Sequence, residues 1–188
     1  NFLGLSNFRE LLFHDPQFWQ YLGNTVFLML GIPIGIMGSL ALALLLNQKL
    51  RGVTIFRTIY FVPSICSGVA VALLWRWIYN PEYGLLNSFL FKFIHFKDPP
   101  LWLMSTSLAK PALIMMGLWG GIGGLNCLLY LAGLQGIPQE YYEAAEIDGA
   151  GSWAKFRHIT WTLLSPTTFF ILVMSIIGGF QGGFMQAF

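Results

Sequence analysis

The chain of 188 residues is 56% hydrophobic and 10% charged, with a net charge of +2. Soluble domains carry about 25% charged residues, so this composition excludes an ordinary soluble domain. So small a net charge gives no electrostatic reason to expect nucleic acid or acidic partners.

Four runs without Asp, Glu, Lys, Arg or His carry most of the apolar weight: residues 21–46, 58–75, 111–139 and 159–188. A helix needs about 17–25 residues to cross ~30 Å of hydrocarbon. In lipid the backbone must satisfy its own hydrogen bonds, which leaves helices or closed barrels. None of the runs alternates polar and apolar residues as a barrel strand does. The predicted fold class is therefore an all-α membrane protein, a polytopic helical bundle with four transmembrane helices.

Residues 1–20 form a polar approach to the first run, with Asn7, Arg9, Glu10, His14, Asp15 and Pro16. Phe18, Trp19 and Tyr21 read as an interfacial anchor. The first run is too long for a signal peptide. Its Gly31, Gly35 and Gly38 suit close helix packing, and Pro33 suits a kink. A short loop holding Lys49, Arg51 and Arg57 leads to the second span, which has Pro63 near its start and an interface signature, Trp75-Arg76-Trp77, at its end.

NPEYGLLN, residues 80–87, predicts a turn followed by a helix. Leu85, Leu86, Phe89, Leu90, Phe93 and Ile94 recur at helical spacing with Lys92 opposite, which suits a helix lying in the headgroup layer. Lys97, Asp98, Pro99 and Pro100 end it. The third span contains GGIGG, residues 120–124. No Lys-Ser or Lys-Thr follows and no strand precedes, so close packing outweighs a phosphate loop. Cys66 and Cys127, far apart and inside apolar runs, read as small buried apolar residues. His14, His95 and His158 are isolated and lack metal-ligand spacing, so surface roles outweigh catalysis. Positive charges are evenly divided between the two predicted sides and do not fix orientation. The spans hold no ionisable group of the kind proton-coupled carriers depend on at membrane depth; sodium coupling through backbone carbonyls stays open.

Residues 143–151, EAAEIDGAG, fit neither a span nor a core helix. Pro138 suits the first position of a helix, with Glu140 and Glu143 near its positive end. Glu140, Glu143 and Glu146 share one face, and Ala144 and Ala145 present little bulk. Gly149 stands where a left-handed cap is expected, and Ser152 can cap a second short helix running into the last span. The residues alone leave open a solvated loop joining two spans.

Glu143-Ala144-Ala145, Gly149 and Ile159 resemble the EAA loop of binding-protein-dependent ABC importer permeases. GLSNFRELL at 4–12, FRTIYFVPS at 56–64, LLWRWIYNPEYGLLN at 73–87, LAGLQGIPQEYYEAAEIDGA at 131–150 and LLSPTTFF at 163–170 are similar to the sugar-type branch of that family. The family's motif usually ends in Leu-Pro, where this chain has Trp161 and Thr162; Pro166 is retained.

The resemblance implies a single transmembrane domain over residues 1–188, an excerpt lacking the first and last of six spans. This agrees with a chain that opens at Asn1 without an initiator Met and stops inside an apolar run. It implies a permease that performs no covalent chemistry and holds no cofactor, with ATP and Mg bound by a partner ATPase. Glu143, Ala144, Ala145 and Gly149 would form the cytoplasmic coupling helix that docks on that ATPase. The further partners are a second homologous permease, an extracytoplasmic solute-binding protein and the bilayer, with no nucleic acid. The location it implies is a bacterial or archaeal inner membrane, and the solute it implies is a sugar or related polyol. An ion-coupled secondary carrier is the alternative. For the solute path, amides within spans are scarce and costly. Asn126 is a candidate on chemistry alone, and Phe180 with Gln181 on the resemblance. A cross-helix hydrogen bond is the competing role for both amides.

Overall fold

All four apolar runs are mostly helical over their described residues in the computed structural model, which describes residues 4–48, 52–94 and 100–186. Lys49, Arg51, His95, Lys97, Asp98 and Pro99, like Asn1 and Phe188, lie outside the described residues. No strand occurs among the described residues.

Helix α1 (Ser6–Phe13) precedes α2 (Pro16–Met29). The Asp15 carboxylate accepts the Gln17 N–H at 2.8 Å, and Pro16 opens the helix, where a missing N–H costs nothing. Trp19 Nε1 donates to the Leu12 carbonyl at 2.9 Å and ties the two helices together. Helix α3 (Gly31–Leu46) continues α2 into one apolar span, Pro16–Leu46, so the first span begins earlier than residue 21. The interruption at Leu30 has its cause in Pro33, which has no N–H to offer the Met29 carbonyl.

The second predicted span departs from the sequence reading. Residues 58–75 are not one helix but parts of α4 (Val53–Ile65) and α5 (Gly68–Ile78), bent by 99° at the break between them. Pro63 lies inside α4 and weakens its last turns, and Cys66 and Ser67 turn to extended backbone. Ser64 Oγ and Cys66 Sγ then bond back to the Phe61 and Val62 carbonyls, while Ser67 Oγ accepts the Ala70 N–H at 3.4 Å to start α5. Cys66 is accordingly exposed at the bend rather than buried, whereas Cys127 is buried as expected.

Beyond α5 the chain builds a tight cap. The Asn80 side-chain oxygen accepts the N–H groups of Glu82 and Tyr83, and a Cβ at Gly84 would come within 2.3 Å of the Asn80 carbonyl oxygen. Helix α6 (Leu85–Phe89) follows and runs on as a π-helical turn, Leu90–Ile94, which matches the helix predicted there. Asn87 donates to the Pro81 and Pro100 carbonyls and accepts from Trp102 Nε1 at 2.7 Å. Trp75, read from sequence as an interface residue, is 8% exposed and packs with Tyr79, Ala112 and Trp102; Trp77 is the exposed member of the pair. Burial pushes the Tyr79 hydroxyl up to about 12, and it donates to the Ala112 carbonyl at 2.8 Å.

Helix α7 (Ala109–Gly123) and α8 (Leu125–Gln135) form the third span, with its break at Gly124. Only the second half of the glycine run packs closely as predicted. A Cβ at Gly123 would lie 2.5 Å from the Tyr60 carbonyl oxygen and one at Gly124 would lie 3.0 Å from Ser64, whereas Gly120 and Gly121 have open space. Ser39 Oγ on α3 bonds to the Gly121 carbonyl. Helices α9 (Gln139–Ile147) and α10 (Ser152–Lys155) are short, and a second π-helical turn, Phe156–Thr160, leads into α11 (Trp161–Gln186), which keeps Pro166 inside it. Ile36, Leu40 and Ala43 of α3 meet Cys127, Tyr130, Leu131 and Leu134 of α8 and Leu164 and Ile171 of α11 in the main core. Their three- and four-residue spacings bring one stripe of each helix inward.

Candidate functional site

Two places in this frame bear on function. The first is the unit formed by α9 and α10, at the end of the bundle where α8 stops and α11 starts. Pro138 is the residue before α9 rather than its first, with ψ at 135°, and Glu140 occupies the first turn. The turn after the helix has a definite geometry. Ala150 N–H bonds to the Ala145 carbonyl at 2.8 Å and Gly149 N–H to the Glu146 carbonyl at 3.0 Å, with Gly149 at φ +76°. That pair of bonds is a Schellman cap, which demands a left-handed residue at the position Gly149 fills. Ser152 does not cap α10; Gly151 precedes the helix and Ser152 is its first residue.

The outward face of α9 carries Glu140, Glu143 and Ala144, all exposed. Ile147, one turn beyond Glu143 on that face, is 88% exposed, an unusual state for an aliphatic side chain outside the bundle. Ala145 is half-buried, so the two alanines point differently. Trp153, 73% exposed, stacks on Phe156 beside them. Two side-chain contacts, among the described residues, brace α9 from within the chain: Lys155 Nζ to Glu146 Oε1 at 2.6 Å, and the Tyr142 hydroxyl to Thr160 Oγ1 at 2.9 Å. Tyr142, Ile147, Trp153 and Thr160 were not singled out from sequence. The legible signal was the three-residue spacing of Tyr142 and Ala145, which marks the inward side of α9.

The second place is a cavity of about 340 Å³ between α2, α3, α7, α8 and α11. Its walls are mostly aliphatic and glycine, with Thr25, Asn126 and Ser175 as polar side chains. Residues 31–36 on its wall stand 10–15 residues from Leu46, about 15–22 Å along the helix and so near the middle of a ~30 Å hydrocarbon layer. Asn126 thus lines a half-open cleft at mid-depth. Gly178 and Gly179 line it too, but Phe180 and Gln181 are exposed on the outside of α11. The structure therefore does not bring the two amide candidates together. No cluster of metal-binding side chains occurs among the described residues.

Residues 26–188 match the family described as binding-protein-dependent transport system inner membrane component. The chain is 38% identical over 188 residues to the arabinooligosaccharides transport system permease protein AraP of Bacillus subtilis, covering 96% of this chain and 57% of the relative. It is 38% identical over 182 residues to the lactose transport system permease protein LacF of Rhizobium radiobacter, covering 96% and 60%. Among solved structures it is similar to a bacterial alginate ABC transporter in complex with an alginate pentasaccharide-bound periplasmic protein, at TM-score 0.82 and 28% identity, over 95% of this chain and 63% of that one. The chain thus spans under two thirds of the length of each of these proteins.

Proposed function

The chain belongs to the family of binding-protein-dependent transport system inner membrane components, and from that premise we propose that it is the membrane-spanning subunit of an ATP-driven importer for a sugar or related polyol. The observation that carries this reading is the helix, Schellman cap and helix at Gln139–Ile147 and Ser152–Lys155, in a chain whose relatives are named for oligosaccharide and lactose transport. Nothing in the family or these relatives supports the ion-coupled carrier considered from sequence. Residues 1–188 act as one transmembrane domain. The partners are ATPase subunits, a second homologous permease and an extracytoplasmic binding protein, as the periplasmic protein in the related alginate complex suggests.

Glu143, Ala144, Ala145 and Gly149 serve as the coupling segment. Exposed carboxylates offer charge-assisted hydrogen bonds to an ATPase, Ala144 allows close approach, and Ile147 supplies an apolar contact. Gly149 aims the unit. When ATP draws the ATPase pair together, the segment moves with it and the spans exchange inward for outward access. No covalent step falls to this chain. The solute path takes in the cavity beside Asn126; Phe180 and Gln181, exposed on the outside of α11, join it where the second permease covers that face.

The test is assembly. A residue with a Cβ in the left-handed region costs about 1–2 kcal/mol and redirects the chain. Gly149→Val, and separately Glu143→Ala, should reduce recovery of the ATPase with the purified permease pair while solute binding by the isolated binding protein is unaffected. Wild-type ATPase recovery and uptake in both variants would remove the coupling role.

A further inference from the structure

The covalent route from α9 to α11 is poorly built to transmit a push. It passes through left-handed Gly149, extended Gly151 with ψ at 169°, the four residues of α10 and the π-helical turn Phe156–Thr160. Each is a place where backbone torsions can absorb displacement, and π-helical turns in particular are rare and cluster at functional positions. Alongside that route runs a shortcut. The hydroxyls of Tyr142, on α9, and Thr160, the residue immediately before α11, lie 2.9 Å apart. Thr160 is 4% exposed and Tyr142 half-buried. The other brace, Glu146 with Lys155, is on the surface, where ion pairs are weak, and it reaches only α10.

We infer that the Tyr142–Thr160 hydrogen bond is the mechanical link that makes α11 follow α9, and that Tyr142 is a positioning residue for transport. It bypasses the compliant segment and joins the ATPase-facing helix to the foot of α11. Some 15–19 residues further along, α11 presents Ser175, Gly178 and Gly179 to the half-open cavity. Movement of α9 is thereby passed along α11 to the cavity wall, about 22–28 Å away along the helix. The geometry of the pair also explains the polarity of an otherwise buried site: each hydroxyl is the other's partner, and a buried hydroxyl without one is costly.

This inference rests on the coupling role proposed for α9 and is tested separately from it. The complete importer, reconstituted with its ATPase and binding protein, is assayed for ATP hydrolysed per solute imported. Tyr142→Phe and Thr160→Val should assemble and hydrolyse ATP normally but import about fivefold less solute per ATP. That factor corresponds to a hydrogen bond of about 1 kcal/mol. Thr160→Ser, which keeps the hydroxyl, should retain the wild-type ratio, and the double variant should be no worse than either single one. An unchanged ratio in Tyr142→Phe overturns the link, as does a Thr160→Ser variant as impaired as Thr160→Val. Failure of the coupling role itself would show elsewhere, as unaltered ATPase recovery in Gly149→Val.

Discussion

Gly149 was readable from sequence because its requirement is local: a helix must stop within a few residues, and a left-handed cap favours glycine. Asn87 was not, since its value depends on Pro81, Pro100 and Trp102 converging from separate segments. The same limit separates the two amide candidates. Hydropathy marks Asn126 and Gln181 alike as polar intruders in apolar runs, but only the packing of five helices places Asn126 on the cavity and leaves Gln181 on the outside. With the complex intact, Asn126→Leu should cut uptake or shift solute preference, because it removes a hydrogen-bonding group from the mid-depth space. Gln181→Leu should do so only if the second permease closes the path over α11. Uptake and preference at wild-type values in both would make these amides helix-packing groups, each contributing about 0.6 kcal/mol.

At the scale of elements, apolar runs located every candidate span among the described residues, since crossing hydrocarbon is a demand on composition. They did not show where a span breaks. Residues 58–75 have ample hydropathy for a straight helix, and their bend depends on Pro63 together with bonds from Ser64, Cys66 and Ser67. Across the π-helical turn before α11, Thr162 Oγ1 lies 3.5 Å from the Arg157 carbonyl, five residues back. The glycine run offers a controlled test of packing. Gly123→Ala would drive a Cβ to 2.5 Å from the Tyr60 carbonyl oxygen, whereas a Cβ at Gly120 meets nothing within 4 Å. Gly123→Ala should destabilise the purified complex by about 1–3 kcal/mol, and Gly120→Ala should leave it unchanged or stabilise it by up to about 1 kcal/mol. Thermal unfolding in detergent reads both; equal shifts would mean α4 and α7 are not in close contact there.

For the whole molecule, the order of spans places the Asn80–Gly84 turn and the α9–α10 unit on opposite sides of the bilayer. Charge counting left the orientation undecided; the coupling role proposed for α9 would place it in the cytoplasm. In a Cys66→Ser background, Ile147→Cys should react with a membrane-impermeant thiol reagent only from the cytoplasmic side, and Tyr83→Cys only from the outside. Both parent side chains are exposed. Labelling of the two from one side would exclude this threading. The 99° bend between α4 and α5 bears also on how the chain enters the membrane. Helix ends leave N–H and C=O groups without intrahelical partners, and only some of those at the bend are answered by Ser64, Cys66 and Ser67. A segment of this kind partitions poorly into lipid on its own, because each unanswered group costs several kcal/mol there. The third span, whose Gly123 and Gly124 pack against Tyr60 and Ser64, covers this bend, so the segment is expected to settle once that span is in place. Insertion and folding, separable for a simple bundle, are expected to be coupled for this pair of helices.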